Sequence, residues 1–182
     1  DPNGKILGSY RKVHPFGSEV IWAKTGTEPF LFDTPWGKIG ISICYDTYNY
    51  PELSRYYAAK GAKIILNPTA TSWGYYSKDG QPLNDGKPIN GNNKAWVNRF
   101  KNRIEAVTTQ SGVFVITSDL VGAERKADGT FMGTAFPGGS CVVGPTDDKK
   151  GTMEYISYYG TNPETAVNEE IVYSELNLDN AK

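Results

Sequence analysis

The chain has 182 residues, with 19 Lys plus Arg against 20 Asp plus Glu and a formal charge of −1. That balance argues against nucleic acid or an anionic membrane as the main partner, since both reward a strong basic excess, and the length suits one domain with a real core. Aromatics make up 13% of the residues, which points to packed structure, while Cys44 and Cys141 with His14 alone build neither a disulfide framework nor a Cys/His zinc site.

Residues 30–44, FLFDTPWGKIGISIC, predict two short strands, Phe30 to Asp33 and Lys38 to Cys44, around a Pro-Trp-Gly-Lys turn. The second is nearly continuous in Ile with small residues between, as in a strand buried on both faces. Pro51 and Glu52 suit the first turn of a helix that Gly61 ends. KIILNPT at 63–69 is another buried strand, so strand, helix and strand make a βαβ unit with parallel strands. Residues 71–93 are dense in Gly, Asn, Asp and Pro and read as a long surface loop. A helix follows from Lys94, with Trp96, Phe100, Ile104 and Val107 on one apolar face and Gly112 as its stop. Further strands are predicted at 113–121, 140–144, 153–159 and 170–177. No apolar run approaches the roughly 20 residues that cross a bilayer. The fold class is α/β or α+β with a mixed sheet, in one domain over 1–182.

Cys44 ends the second strand, before Tyr45-Asp46 and a helix. A nucleophile on a strand-to-helix turn is held rigidly and faces the crevice at the strand's carboxyl end. The amide of the next residue, Tyr45, is then available to an oxyanion. The other reading of such a Cys is a small buried hydrophobe, and Cys141 beside Val142-Val143 has only that reading. A nucleophilic thiol needs a base or a nearby cation. His14 is the only imidazole, yet nothing orients it toward Cys44 and no Cys–His protease signature surrounds that residue. Lys12 shares a face with His14 in the strand-like segment Ser9 to His14. Buried near Cys44 it would favour the thiolate and hold an oxyanion; in an ordinary strand it is a solvated cation.

Several segments together carry a family resemblance. They are Tyr10-Arg11-Lys12-Val13-His14, Phe32 to Gly40, Ile43-Cys44-Tyr45-Asp46, Pro51-Glu52-Leu53, Pro68-Thr69-Ala70, Arg103-Ile104-Glu105-Ala106 and Glu175 to Asp179. In this order and spacing they resemble the nitrilase superfamily of carbon–nitrogen hydrolases, over nearly the whole chain. The resemblance implies an α-β-β-α sandwich and a Glu, Lys and Cys triad that works without a cofactor or metal. Cys44 matches the nucleophile, Lys12 the oxyanion-stabilising lysine, and the N–H of Tyr45 the second oxyanion donor. Glu19 is the nearest candidate for the second glutamate that helps orient the site in several members, at a spacing about one residue different from the aliphatic amidases. His14 is expected to be a structural hydrogen-bonding residue.

The family's general base is a glutamate well upstream of the lysine, and only 11 residues precede Lys12. The chain, which opens at Asp1-Pro2, is therefore expected to be the C-terminal two-thirds or so of the domain. It is expected to be inactive alone, with apolar surface exposed where the first strands would pack. Tyr-Asp after the Cys resembles the amidase and carbamoylase branches, so the expected substrate is a small amide or carbamoyl amide. Tyr45, Asp46, Thr71 and Trp73 are the expected substrate neighbours, and the loop at 75–92 the expected lid or subunit contact. The rival readings are a non-catalytic scaffold or partner-dependent subunit, and an acyltransferase using the same Cys. Homo-oligomers are common in the family.

Overall fold

The computed structural model describes residues 1–71, 83–84, 87–88, 94–137, 139–145, 153–158, 171 and 173–181. Trp73 and most of the loop at 75–92 lie outside them. The helices are α1 (Glu19–Trp22), α2 (Tyr45–Asn49), α3 (Pro51–Ala59) and α4 (Lys94–Ser111). The strands are β1 (Phe30–Thr34), β2 (Gly37–Ile41), β3 (Ala62–Thr69), β4 (Leu83–Asn84), β5 (Lys87–Pro88), β6 (Phe114–Asp119), β7 (Val121–Arg125), β8 (Phe131–Pro137), β9 (Cys141–Pro145) and β10 (Met153–Tyr158).

Six strands form one mixed sheet in the order β1-β2-β3-β6-β9-β10. β2, β3 and β6 run parallel, and the outer pairs are antiparallel. The two parallel connections run through α2–α3 and through α4, the helical crossovers that parallel pairing requires. β7 and β8 make a separate hairpin.

Alternation along β3 and β6 splits the core into two layers. Ile65 and Val115 face the helices and pack with Leu53, Tyr57, Ile104, Val107 and Val143. Ile64 and Phe114 face the other way, against Leu66, Ile116 and the C-terminal residues Leu176, Leu178 and Ala181. β3 is thus covered on both faces, whereas β2 is mostly half-buried rather than enclosed. The small residues of β2 have a specific cause. The fully buried Tyr57 ring lies over Gly40, where a Cβ would sit 2.9 Å from the ring.

Two predicted strands end differently. β2 stops at Ile41, and residues 42–44 form the corner that carries Cys44. Pro51, which lacks an N–H, separates α2 from α3 at Tyr50 (φ −127°, ψ 87°). Of the strand predicted at 170–177, residues 173–177 belong to no ladder, and the chain closes in a 3₁₀ turn, Leu178–Asn180. The period-2 alternation there is real, since Leu176 and Leu178 pack inward, but it serves packing across the sheet and not pairing. Lys63 Nζ donates to the Ala181 carbonyl at 2.6 Å and pins this segment. On the opposite end, α1 presents Val20, Ile21 and Trp22 to solvent. None of the described helices is long and apolar enough to cross a membrane.

Candidate active site

The site begins with a strained corner. Cys44 has φ 50° and ψ −112°, the one non-glycine with positive φ among the described residues. Such a conformation costs about 1–3 kcal/mol and persists only where the surroundings over-determine it. Here the Cys44 N–H donates to both the Pro68 carbonyl and Asn67 Oδ1, each at 3.0 Å. Asn67 is itself buried, held by Thr47 Oγ1 at 2.9 Å and donating to Thr117 Oγ1 at 3.1 Å. The amides of Asp46 and Thr47 bond back to Ile43 and Cys44. The amide of Tyr45, first in α2, has no acceptor among the described residues, as the opening turn of a helix allows.

The segment carrying Lys12 is not a strand. It is an irregular arm held by one carboxylate. Asp46 is fully buried, and Oδ2 accepts from Tyr10 Oη (2.6 Å) and Val13 N (2.9 Å). Oδ1 accepts from His14 N (2.7 Å) and meets His14 Nδ1 (2.9 Å). A buried carboxylate is tolerable only with its lone pairs occupied, and these are. Asp46, expected beside substrate, is therefore a latch between the arm and the helix after the nucleophile, and it does not line the cavity. His14 stacks on Tyr50 at 3.5 Å and pairs with Asp46, not with Cys44.

Held in this way, Lys12 is 13% exposed, and its Nζ lies 2.6 Å from Glu19 Oε2. Glu19 Oε2 also accepts the Phe16 N–H at 2.6 Å. Burial alone would raise the Glu19 carboxyl, but the hydrogen bonds from Lys12 and Phe16 and the Lys12 charge outweigh it and lower the pKa. Glu19 is a carboxylate at neutral pH.

Glu19, Cys44, Tyr45 and Thr71 line one cavity of about 320 Å³. The structure therefore brings four sequence-predicted residues to one concavity, with Lys12 immediately behind Glu19. Of the other lining residues, Tyr48 and Arg103 were not among the expected site residues, although Arg103 stands in one of the segments that carry the resemblance. Tyr48 Oη lies 3.0 Å from Cys44 Sγ, and the Thr69 and Thr71 hydroxyls lie 3.4 and 3.3 Å from that oxygen. Its signal was the i, i+4 spacing from Cys44. Burial, followed by the charge of Cys44, raises the Tyr48 phenol, which stays protonated. Arg103 carries a signal too. It stands seven residues after Trp96 and four before Val107, so it is a cation on the apolar stripe of α4.

Asp119, at the end of β6, supports Thr71: its Oδ1 accepts the Thr71 N–H at 2.9 Å. Its Oδ2 is buried with no partner among the described residues. Burial lifts this carboxyl from 3.8 to about 7, against the hydrogen bonds from Thr71 and Leu120. Cys141 is 1% exposed, and burial pushes its thiol up to about 12, an inert core residue. The described residues hold no cluster of three or more His, Cys, Asp or Glu suited to a metal.

The arrangement therefore brings to one cavity a thiol, a residue whose amide N–H is free among the described residues, and a carboxylate that holds the Lys12 ammonium at 2.6 Å. Known proteins are similar to this chain in sequence and in fold. The "Probable nitrilase" of Schizosaccharomyces pombe is 32% identical over 162 residues, covering 84% of this chain and 48% of that protein. N-carbamoylputrescine amidase of Solanum tuberosum is 35% identical over 159 residues, covering 81% and 46%. The crystal structure of a carbon–nitrogen hydrolase from Helicobacter pylori superposes with a TM-score of 0.70 at 28% identity, over 98% of this chain and 55% of that one. The chain thus spans about half the length of the relatives it matches. The family model described as carbon-nitrogen hydrolase matches residues 1–148, and the mixed α/β fold is that of its structural neighbours. By sequence and by fold, this chain belongs to the carbon–nitrogen hydrolase family.

Proposed function

We propose that the full-length protein hydrolyses a small amide or carbamoyl amide through a thioester on Cys44. The observation that carries this reading is the strained Cys44 corner, which leaves the Tyr45 N–H unpaired beside a cavity that Glu19 also lines. In the reaction, Cys44 Sγ bonds to the carbonyl carbon and the carbonyl electron pair moves to oxygen. The Tyr45 N–H and the Lys12 ammonium stabilise that oxyanion. The C–N bond then breaks, the nitrogen leaving with a proton, and water cleaves the thioester to release the acid and the thiol. Glu19 fixes Lys12 in position through their 2.6 Å contact. The general base that shuttles these protons is a glutamate outside these 182 residues, and the chain alone is inactive on this reading. The amidase relative of Solanum tuberosum supports the amide and carbamoyl classes.

The test is ammonia release from a panel of small amides by the full-length protein, read beside intact mass. Release with a transient acyl mass on the wild type, and neither in Cys44→Ala, is the expected result. A full-length protein that releases no ammonia and forms no thioester is a scaffold or subunit, and the reading fails. Acyl transfer would show instead as amide formation when a competing amine is present.

A further inference from the structure

We infer that Tyr48 is a catalytic residue: its hydroxyl donates to Cys44 Sγ and stabilises that sulfur as a thiolate, before attack and again when the thioester is cleaved. The inference rests on the thioester reading above and adds to it a donor aimed at the sulfur, where Lys12 and the Tyr45 N–H serve the oxyanion.

Placement is the first ground. Tyr48 lies four residues after Cys44 on α2, and long side chains on a helix lean back toward its N-terminus. The phenol is thereby carried to the nucleophile, with Oη 3.0 Å from Sγ. Among the described residues Cys44 Sγ has no other hydrogen-bond partner. The His14 imidazole pairs with Asp46, and the Lys12 ammonium with Glu19.

Direction is the second ground, since either atom of this pair can be the donor. The Thr69 and Thr71 hydroxyls lie 3.4 and 3.3 Å from the Tyr48 oxygen. They can donate to it and leave its single proton for the sulfur. Burial and the charge of Cys44 keep the phenol protonated, so that proton is there to share. Arg103 Cζ, 5.8 Å from the ring centroid, sets a cation over the ring and polarises the O–H toward donation. A hydrogen bond to a charged acceptor is roughly twice as strong as one between neutral groups. The contact is therefore stronger with the thiolate than with the thiol, and it favours the form that attacks.

No proton passes through Tyr48. The base takes the thiol proton, and Tyr48 shares its own with the negative sulfur without losing it. When water cleaves the thioester, the electron pair of the C–S bond returns to sulfur, and the same O–H meets the returning charge.

The pH profile of Cys44 alkylation tests this without requiring turnover. The full-length protein is treated with the neutral reagent iodoacetamide, and the rate is read by intact mass, with Cys44→Ala giving the background at Cys141. Tyr48→Phe removes one oxygen and leaves the charged groups around the cavity in place: Glu19 with Lys12, Arg103, and Asp119 behind Thr71. The midpoint of the profile should rise by about one pH unit in Tyr48→Phe, a tenfold loss of thiolate below the midpoint. A fall would mean that the phenol accepts from the thiol, and no change that it does not bond to the sulfur. Either result, in a protein folded by circular dichroism, overturns the proposal. Where Tyr48→Phe does not fold, Thr69→Val decides: loss of a donor to the Tyr48 oxygen should give a smaller rise, and a fall or no change overturns the proposal. Ammonia release by the wild type with no rise in Tyr48→Phe removes Tyr48 from the mechanism and leaves the hydrolase reading standing. A rise without ammonia release does the reverse.

Discussion

Burial acts on two carboxyls beside the cavity and is overcome at only one. At Glu19 the Lys12 ammonium lies 2.6 Å away and wins; at Asp119 no cation compensates, and Oδ2 has no partner among the described residues. The neutral form of Asp119 is the one the fold prefers, so its sign is opposite to that of a salt-bridged carboxylate. Its contribution to stability is fully present below 3.8, the ordinary Asp value, and is lost as the pH rises through about 7. Asp119→Asn stays neutral throughout. Its stability relative to wild type should rise by about 2–4 kcal/mol between about pH 4 and pH 8, measured by urea unfolding at both. A difference that does not change with pH would show that Asp119 carries no buried charge. The loss would be felt at Thr71, whose backbone it holds at the cavity rim.

At the scale of elements, close approach decides what the strands contain. Tyr57 packs on Gly40, and its hydroxyl donates to the Ile41 carbonyl, so one side chain of α3 clamps the end of β2. Gly40→Ala drives a methyl to 2.9 Å from that ring. It should cost about 1–3 kcal/mol of stability by overpacking, seen as a lower urea midpoint with an unchanged slope; an unaltered midpoint would mean that α3 shifts freely. The apolar runs of β3 and β6 and the stripe of α4 are written in consecutive residues, so periodicity finds them. The Tyr45-Asp46 pair after Cys44 looked like a substrate edge because nothing nearby reveals that Asp46 is spoken for. Its partners are 32 to 36 residues earlier, in an arm without regular structure. The tail at 173–177 misled in the other way, since alternation reports burial and cannot distinguish a paired strand from an extended cover. Lys12 and Cys44 stood out through family resemblance, while their geometry depends on that hidden carboxylate.

Across the whole molecule, the sheet is covered on one face by α3 and α4 and on the other by the last residues of the chain. Leu176, Leu178 and Ala181 pack against Ile64 and Phe114, with the Lys63–Ala181 hydrogen bond as an anchor. Replacing Leu176 and Leu178 together by Ser should cost about 2–4 kcal/mol, the burial lost from two half-covered leucines. Thermal unfolding and binding of a hydrophobic dye would report it; a melting curve identical to wild type would show that this cover is not part of the core. The exposed face of α1 stands apart from this core.

The Asp46 latch has a consequence for the order in which the molecule assembles. Docking the 10–14 arm means closing a loop of 32 to 36 residues onto a helix that must already exist. The corner at Cys44 is held instead by β3 through Pro68 and Asn67, the latter bonded in turn to Thr47 and Thr117. The arm's hydrogen bonds to Asp46 can therefore open while those that hold the Cys44 corner stay in place. The segment that carries Lys12 is thus joined to the corner that carries Cys44 through a single buried carboxylate, and loss of that latch would part the two.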